Sequence, residues 1–264
     1  MQRRDFLSAS LAASALAFAP EAVAQAATTS PREYYLIRRY HLHSGPQTSL
    51  TQNYFANALI PALTRMGIGP VGAFQEEIGT DAPAYYLVIP SGSAETLTQL
   101  TLRLGDDAAF LKAADPFWNA PATAPAFERV ESSLLMAFTG WPKMTPPPAS
   151  ATKGKRIFQL RSYESPSEQA HIRKIEMFHN GEFDYFKDAG FHPVFFADKL
   201  FGSRMPSLTY MLSFNGLDEY YTRWDAFRNH PEWKKLSANP RYNYEAIVSN
   251  ITNLILSPLP ASQI

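Results

Sequence analysis

The chain repeats itself. "YLIRRY" (Tyr35–Tyr40) returns as "FQLRSY" (Phe158–Tyr163), and "RMGIGPVGAFQEEIG" (Arg65–Gly79) returns as "DAGFHPVFFADKLFG" (Asp188–Gly202), both 123 positions later. "YYLVI" (Tyr85–Ile89) then meets "YMLSF" (Tyr210–Phe214) at an offset of 125, and "DPFW" (Asp115–Trp118) meets "HPEW" (His230–Trp233) at 115. Four matches in one order imply a supersecondary unit used twice. Between the copies, residues 140–155 carry three consecutive prolines, which suit a semi-stiff linker and neither a helix nor a central strand.

Each copy reads as β-α-β-β-α-β. The opening strands are rich in β-branched and aromatic residues. In copy two, Ser165, Pro166 and Glu168 stand at the spacing of a capping box, followed by Ile172, Ile175, Phe178, Phe183 and Phe186 near helical period. Gly190 ends that helix and Gly67 ends its counterpart, where Pro61 predicts a kink or split. The second helix of copy two holds Leu217, Tyr220, Tyr221, Trp224 and Phe227. Closing strands are expected near residues 128–138 and 246–256.

A four-stranded antiparallel sheet with both helices on one face leaves the other face bare. Two copies can cover each other and protect their edge strands. The expected fold is therefore α+β: tandem ferredoxin-like repeats, residues 33–139 and 156–259, packed sheet to sheet as a pseudo-dimeric α+β barrel. A small ligand would sit between the repeats, or between a sheet and its helices.

These residues resemble the NIPSNAP family of the dimeric α+β barrel superfamily. The resemblance rests on the R-x-Y strands (Arg38 to Tyr40, Arg161 to Tyr163), on the helix–Gly–"PV" turns and above all on "RWDAFRNHPEW" (Arg223–Trp233). It runs from about Tyr34 to Leu259 and is stronger in the second copy. It implies a binding or scaffold role. Superfamily relatives also include cofactor-independent oxygenases, isomerases and haem enzymes, an analogy of fold alone.

Residues 1–26 resemble a twin-arginine export signal: Arg3-Arg4, then Phe6-Leu7, an apolar run of about a dozen residues, and cleavage-like sites after Ala24 or Ala26. The apolar run is shorter than the ~20 residues a membrane span needs. The expected location is the periplasm, with tethering by an uncleaved signal as the alternative. Without the signal the charges balance at 22 basic against 22 acidic, so nothing points to nucleic acid. The chain has no cysteine, which excludes disulfides, a thiol nucleophile and thiolate metal sites. No cofactor is required by the sequence, and both a monomer and a homodimer remain open.

The best candidate ligand residues are Arg38 with Tyr40 and Arg161 with Tyr163. Each pair lies two apart on one strand face, where a guanidinium and a phenol can hold an anionic or carbonyl-bearing ligand. Tyr210 joins them as an aromatic candidate. His41 and His43 form an H-x-H that nothing nearby completes into a metal signature, and copy two has no matching pair. His179 lies on a helix among phenylalanines. Glu76 and Glu77 point to opposite strand faces and cannot act together. No nucleophile elbow, phosphate loop, H-E-x-x-H or dinucleotide fingerprint is present. Binding of a small apolar or aromatic ligand is thus favoured. A cofactor-independent oxygenase or isomerase is the first alternative, and a haem or metal carrier using His41, His43 or His179 is the second.

Overall fold

A computed structural model describes residues 31–264 except positions 80 and 82. The export signal and its cleavage points lie outside the described residues. The first half runs β1 (Tyr34–His41), α1 (Pro46–Tyr54), a π-helical turn (Phe55–Leu59), α2 (Ile60–Arg65), β2 (Gly72–Ile78), β3 (Ala84–Ser91), α3 (Ala94–Thr98), α4 (Leu100–Gly105), α5 (Ala108–Trp118) and β4 (Arg129–Ala137). A short α6 (Pro148–Ala151) follows, so the link expected to hold no helix turns helical at its third proline, which takes a first-turn position where its missing N–H costs nothing. The second half runs β5 (Ile157–Glu164), α7 (Glu168–Met177), a π-helical turn (Phe178–Glu182), α8 (Phe183–Asp188), β6 (His192–Phe201), β7 (Ser207–Phe214), α9 (Leu217–Asn229), α10 (Pro231–Ser237), α11 (Tyr244–Ile247) and β8 (Asn250–Pro258).

The eight strands close into one antiparallel barrel in the order β1-β3-β2-β8-β5-β7-β6-β4. Each half supplies four neighbouring strands. The seams are β2 with β8 and β4 with β6, each with one register shift. Backbone groups that a lone sheet would leave at its edges are thus paired across the halves.

The repeat is structural. β5 and the second π turn lie 123 positions after β1 and the first π turn. Gly67 and Gly190 both end a helix at positive φ, 72° and 77°. At each end two N–H groups turn back onto the last carbonyls: Gly67 to Thr64 and Ile68 to Leu63, Gly190 to Lys187 and Phe191 to Phe186. The helix is interrupted just before Pro61 by the π turn, but the second half has the same turn with Asp184 in the matching place, so the proline is not its cause; Pro61 opens α2, where its missing N–H costs least.

Three expectations change. Tyr40 pairs with Tyr85 while Tyr163 pairs with Leu208, so the offset stays at 123 and Tyr210 corresponds to Leu87. The cap of α7 is Ser167, whose Oγ accepts from the Ala170 N–H, because Ser165 is buried and donates to the Ile247 carbonyl. Ile172 is exposed, and the inner face of α7 is Ala170, His171, Lys174 and Met177.

The core has three layers. One apolar cluster fills the space between the first four strands and their helices, and a second does the same in the other half. The third lies inside the barrel, where Tyr35 meets Phe195 and Phe74 meets Phe158, each pair at 4.8 Å between ring centres. All four of these rings are fully buried. That stretch of the interior, one of the places expected to hold a ligand, is filled by the protein's own side chains.

Candidate functional site

Strand alternation decides which way β5 presents its residues. Phe158 and Leu160 enter the barrel, while Arg161 and Tyr163 face the helices of their own half. There they line a pocket of about 310 Å³ between sheet and helices. Trp224 and Phe227 of α9, Trp233 of α10, and Tyr242 and Tyr244 beyond it form aromatic walls. Such a volume suits a small ligand.

The floor of the pocket is polar and ordered. Arg161 Nε donates to Tyr163 Oη at 3.0 Å, and Tyr163 Oη lies 3.0 Å from Tyr210 Oη. The Arg161 guanidinium stacks 5.0 Å from the Trp224 ring, whose indole N–H donates to the buried Gln159 at 2.8 Å. Burial works against the Arg161 charge, but the phenols of Tyr210 and Tyr163 beside it hold its pKa above the ordinary value. Burial also pushes the Tyr210 phenol well up, so it stays protonated and can donate.

Beside this chain lies an ion pair. Lys174 Nζ donates to Glu182 Oε2 at 2.8 Å, with the side chains only 4% and 2% exposed. The π turn and the non-helical backbone at Asn180 and Gly181 place Glu182 on the inner side. Gly181 has φ 124°, and a Cβ there would stand 2.6 Å from Tyr185 Oη. Lys174 also sits 4.5 Å from the Phe178 ring and 5.1 Å from that of Tyr163. Burial raises the Glu182 carboxyl above its ordinary range despite Lys174 and Arg161 nearby.

One pocket wall is fastened from outside. Arg241 grips Glu176 with two N–H groups, at 2.9 and 2.5 Å, and Tyr242 Oη donates to the same carboxylate at 2.7 Å. These hydrogen bonds hold the Glu176 pKa down at about 2.

The structure divides the predicted residues among several places. Arg161 and Tyr163 line this pocket, with Tyr210 hydrogen-bonded behind them. Arg38 and Tyr40 line a separate cleft under the first half's helices. The two Arg–Tyr pairs therefore serve two sites and do not meet between the repeats. His41 is buried near Arg129 and Glu131, at 3.1 and 3.4 Å. His43 is 73% exposed and pairs with Glu128 at 3.0 Å. His179 Nδ1 donates to the Ile175 carbonyl and Nε2 accepts from the Gly140 N–H, while its ring packs on Phe138 and Phe183. None of these three lines either pocket. Among the described residues, no three His, Cys, Asp or Glu side chains gather as a metal site.

Sequence reasoning missed Lys174, Glu182 and the Glu176–Arg241–Tyr242 clasp. Lys174 was findable: it stands four residues after Ala170 and three before Met177, on the helix face that is buried. Glu182 was not, because a π turn shifts the period that such spacing relies on.

The NIPSNAP family model matches residues 158–263. No curated protein matches the chain. Among solved structures, a candidate monooxygenase from Fusobacterium nucleatum aligns with TM-score 0.55 and 11% identity, over 86% of this chain and 93% of that one. A second candidate monooxygenase, from Lactobacillus acidophilus, gives 0.54 and 7%, over 86% and 94%. A NIPSNAP-like domain protein from Burkholderia xenovorans aligns at 16% identity over 40% of this chain and 87% of that one, with TM-score 0.36. The fold is that of the dimeric α+β barrels, and its second half, which holds the aromatic pocket, carries the NIPSNAP match.

Proposed function

We propose that this is an exported NIPSNAP-type protein, built from two ferredoxin-like units, that binds a small aromatic ligand in the pocket of its second half. One observation carries this reading: the hydrogen-bonded chain Arg161–Tyr163–Tyr210 opens into an aromatic-walled space of about 310 Å³. Ring faces supply affinity, and the guanidinium and phenol fix the orientation of an oxygen-bearing group. Export rests on residues 1–26, and periplasmic location follows from it.

The test is native mass spectrometry of the protein isolated from its own host, followed by titration with 2-naphthol under tryptophan fluorescence. A bound mass, or quenching that Arg161→Gln weakens, supports the reading. A bare chain whose emission naphthol leaves unchanged refutes it.

A catalytic reading, a cofactor-independent oxygenase or isomerase, is favoured by one feature. The Glu182 carboxyl lies beside the pocket and is raised by burial, so it is suited to proton transfer. The carrier alternative needs a histidine in a pocket, and His41, His43 and His179 all lie elsewhere.

A further inference from the structure

We propose that the first half carries a second, separate binding site, for a planar aromatic carboxylate, in the cleft that Arg38 lines. The cleft measures about 400 Å³ and lies between β1 and α5. Its floor and walls are Tyr40, Tyr54, Phe117, Trp118 and Phe127. Tyr54 and Phe117 stack face to face, 4.0 Å apart and 4° from parallel. Tyr40 sets its edge against Phe117 and Phe127, each at 6.2 Å. Trp118 donates its indole N–H to Tyr54 Oη at 3.1 Å, so the indole donor is used while the Tyr54 hydroxyl proton stays available. The larger part of the lining is apolar ring surface, which takes a flat ring stacked or edge-on, with the Thr101 and Ser132 hydroxyls beside it.

The charge of the occupant follows from Arg38. Among the described residues its guanidinium meets no carboxylate within 4 Å; it donates to the Thr101 hydroxyl at 3.3 Å and lies beside the Tyr40 phenol. Comparison with the other half sharpens the point. There Arg161 sits beside Tyr163 as Arg38 sits beside Tyr40, but it is also covered by the Trp224 indole. Thr101 lies 123 positions before Trp224, so the small hydroxyl stands where the indole would cover the guanidinium. Thr51 and Leu59 likewise stand 123 positions before Lys174 and Glu182, so no second ion pair competes for the anion. The guanidinium of Arg38, which meets only hydroxyls among the described residues, stands at the edge of an aromatic slot and matches one carboxylate on a flat ring.

This site is independent of the second-half pocket. The probes are 2-naphthoate and its neutral counterpart 2-naphthalenemethanol, titrated into the full chain and into Arg38→Gln and Arg161→Gln variants. Naphthoate is expected to keep one binding site in Arg161→Gln. Arg38→Gln should weaken that site about tenfold or more, and the alcohol should bind there correspondingly less tightly. Equal binding by wild type and Arg38→Gln overturns the proposal. So does equal binding of acid and alcohol, or loss of all binding in Arg161→Gln. A melting curve checks that Arg38→Gln is folded. If it is not, Thr101→Glu serves instead: it offers Arg38 a carboxylate from an exposed helix position, and naphthoate should then be displaced. Undiminished naphthoate binding by folded Thr101→Glu overturns the proposal equally.

Discussion

Replacing Lys174 with methionine keeps most of the side-chain volume and removes the charge. At 2.8 Å the attraction between Lys174 and Glu182 is roughly 6 kcal/mol for an effective dielectric constant of about 20. Taking each ion out of water costs several kcal/mol, so the intact pair is close to break-even. The raised Glu182 carboxyl reports that balance, since burial outweighs its cationic neighbour. Without Lys174, Glu182 has one escape, which is to take up a proton. Protonating a carboxyl of ordinary pKa 4.5 at pH 7 costs about 3.4 kcal/mol, from 1.36 kcal/mol per unit.

Lys174→Met should therefore lose about 3 kcal/mol of stability at pH 7 in urea unfolding. The sign of its pH dependence follows. In the variant the folded pKa of Glu182 lies above the unfolded 4.5, so the folded state holds the extra proton between them. Stability then rises as pH falls toward 4.5, and the loss should shrink to about 1 kcal/mol at pH 5. Lys174→Met with Glu182→Leu should return to within about 1 kcal/mol of wild type, because an all-apolar replacement of a buried pair is often neutral or stabilising. A single-variant loss below about 1 kcal/mol at pH 7, or one that acid does not reduce, would refute this account of the pair.

Two further outcomes are expected. The Glu176 carboxylate is depressed to about 2 by Arg241 and Tyr242, so its stabilising effect is present above its ordinary 4.5 and fades as pH falls through that window. Glu176→Gln should flatten the difference in tryptophan emission between pH 5 and 2, and an unchanged acid profile would separate the clasp from the pocket wall. Replacing Arg3 and Arg4 together with lysine should leave the protein in the cytoplasm of its host, measured by fractionation, whereas wild-type protein should appear cleaved after Ala24 or Ala26.

The barrel was legible because its cause is written twice in the chain. Matching strands in the same order, with a proline-rich link between them, force two bare sheet faces to be reconciled, and closure does that with paired edges. That Arg and Tyr of each pair share a strand face was legible for a simpler reason, since residues two apart on a strand point the same way. What the strand pattern cannot say is which face looks into the barrel. The apparent two-residue insertion before Tyr210 leaves its face unchanged, because side chains alternate with a period of two, but it hid which residue Tyr210 opposes. Once Tyr163 is seen opposite Leu208, Tyr210 becomes the partner of Arg161's strand position and its phenol reaches Tyr163.

The same register shows how two copies of one unit came to differ in chemistry without differing in fold. Thr51, Leu59, Leu87 and Thr101 sit where the second half has Lys174, Glu182, Tyr210 and Trp224. Thr51, Leu59 and Leu87 are fully buried in the first half, so these places tolerate either a sealed polar network or plain packing. The backbone devices are kept in both: a π turn at the same offset and a glycine at positive φ after the helix. Strand pairing and helix ends therefore fix the scaffold, while the side chains between sheet and helices are free to set what each pocket accepts. The second pocket has the buried Lys174–Glu182 pair beside it, and burial raises that carboxyl above its ordinary range. Arg38 is the one charged residue lining the first cleft, which has no buried carboxylate of its own, so the two halves should respond differently to acid even when they hold the same ring.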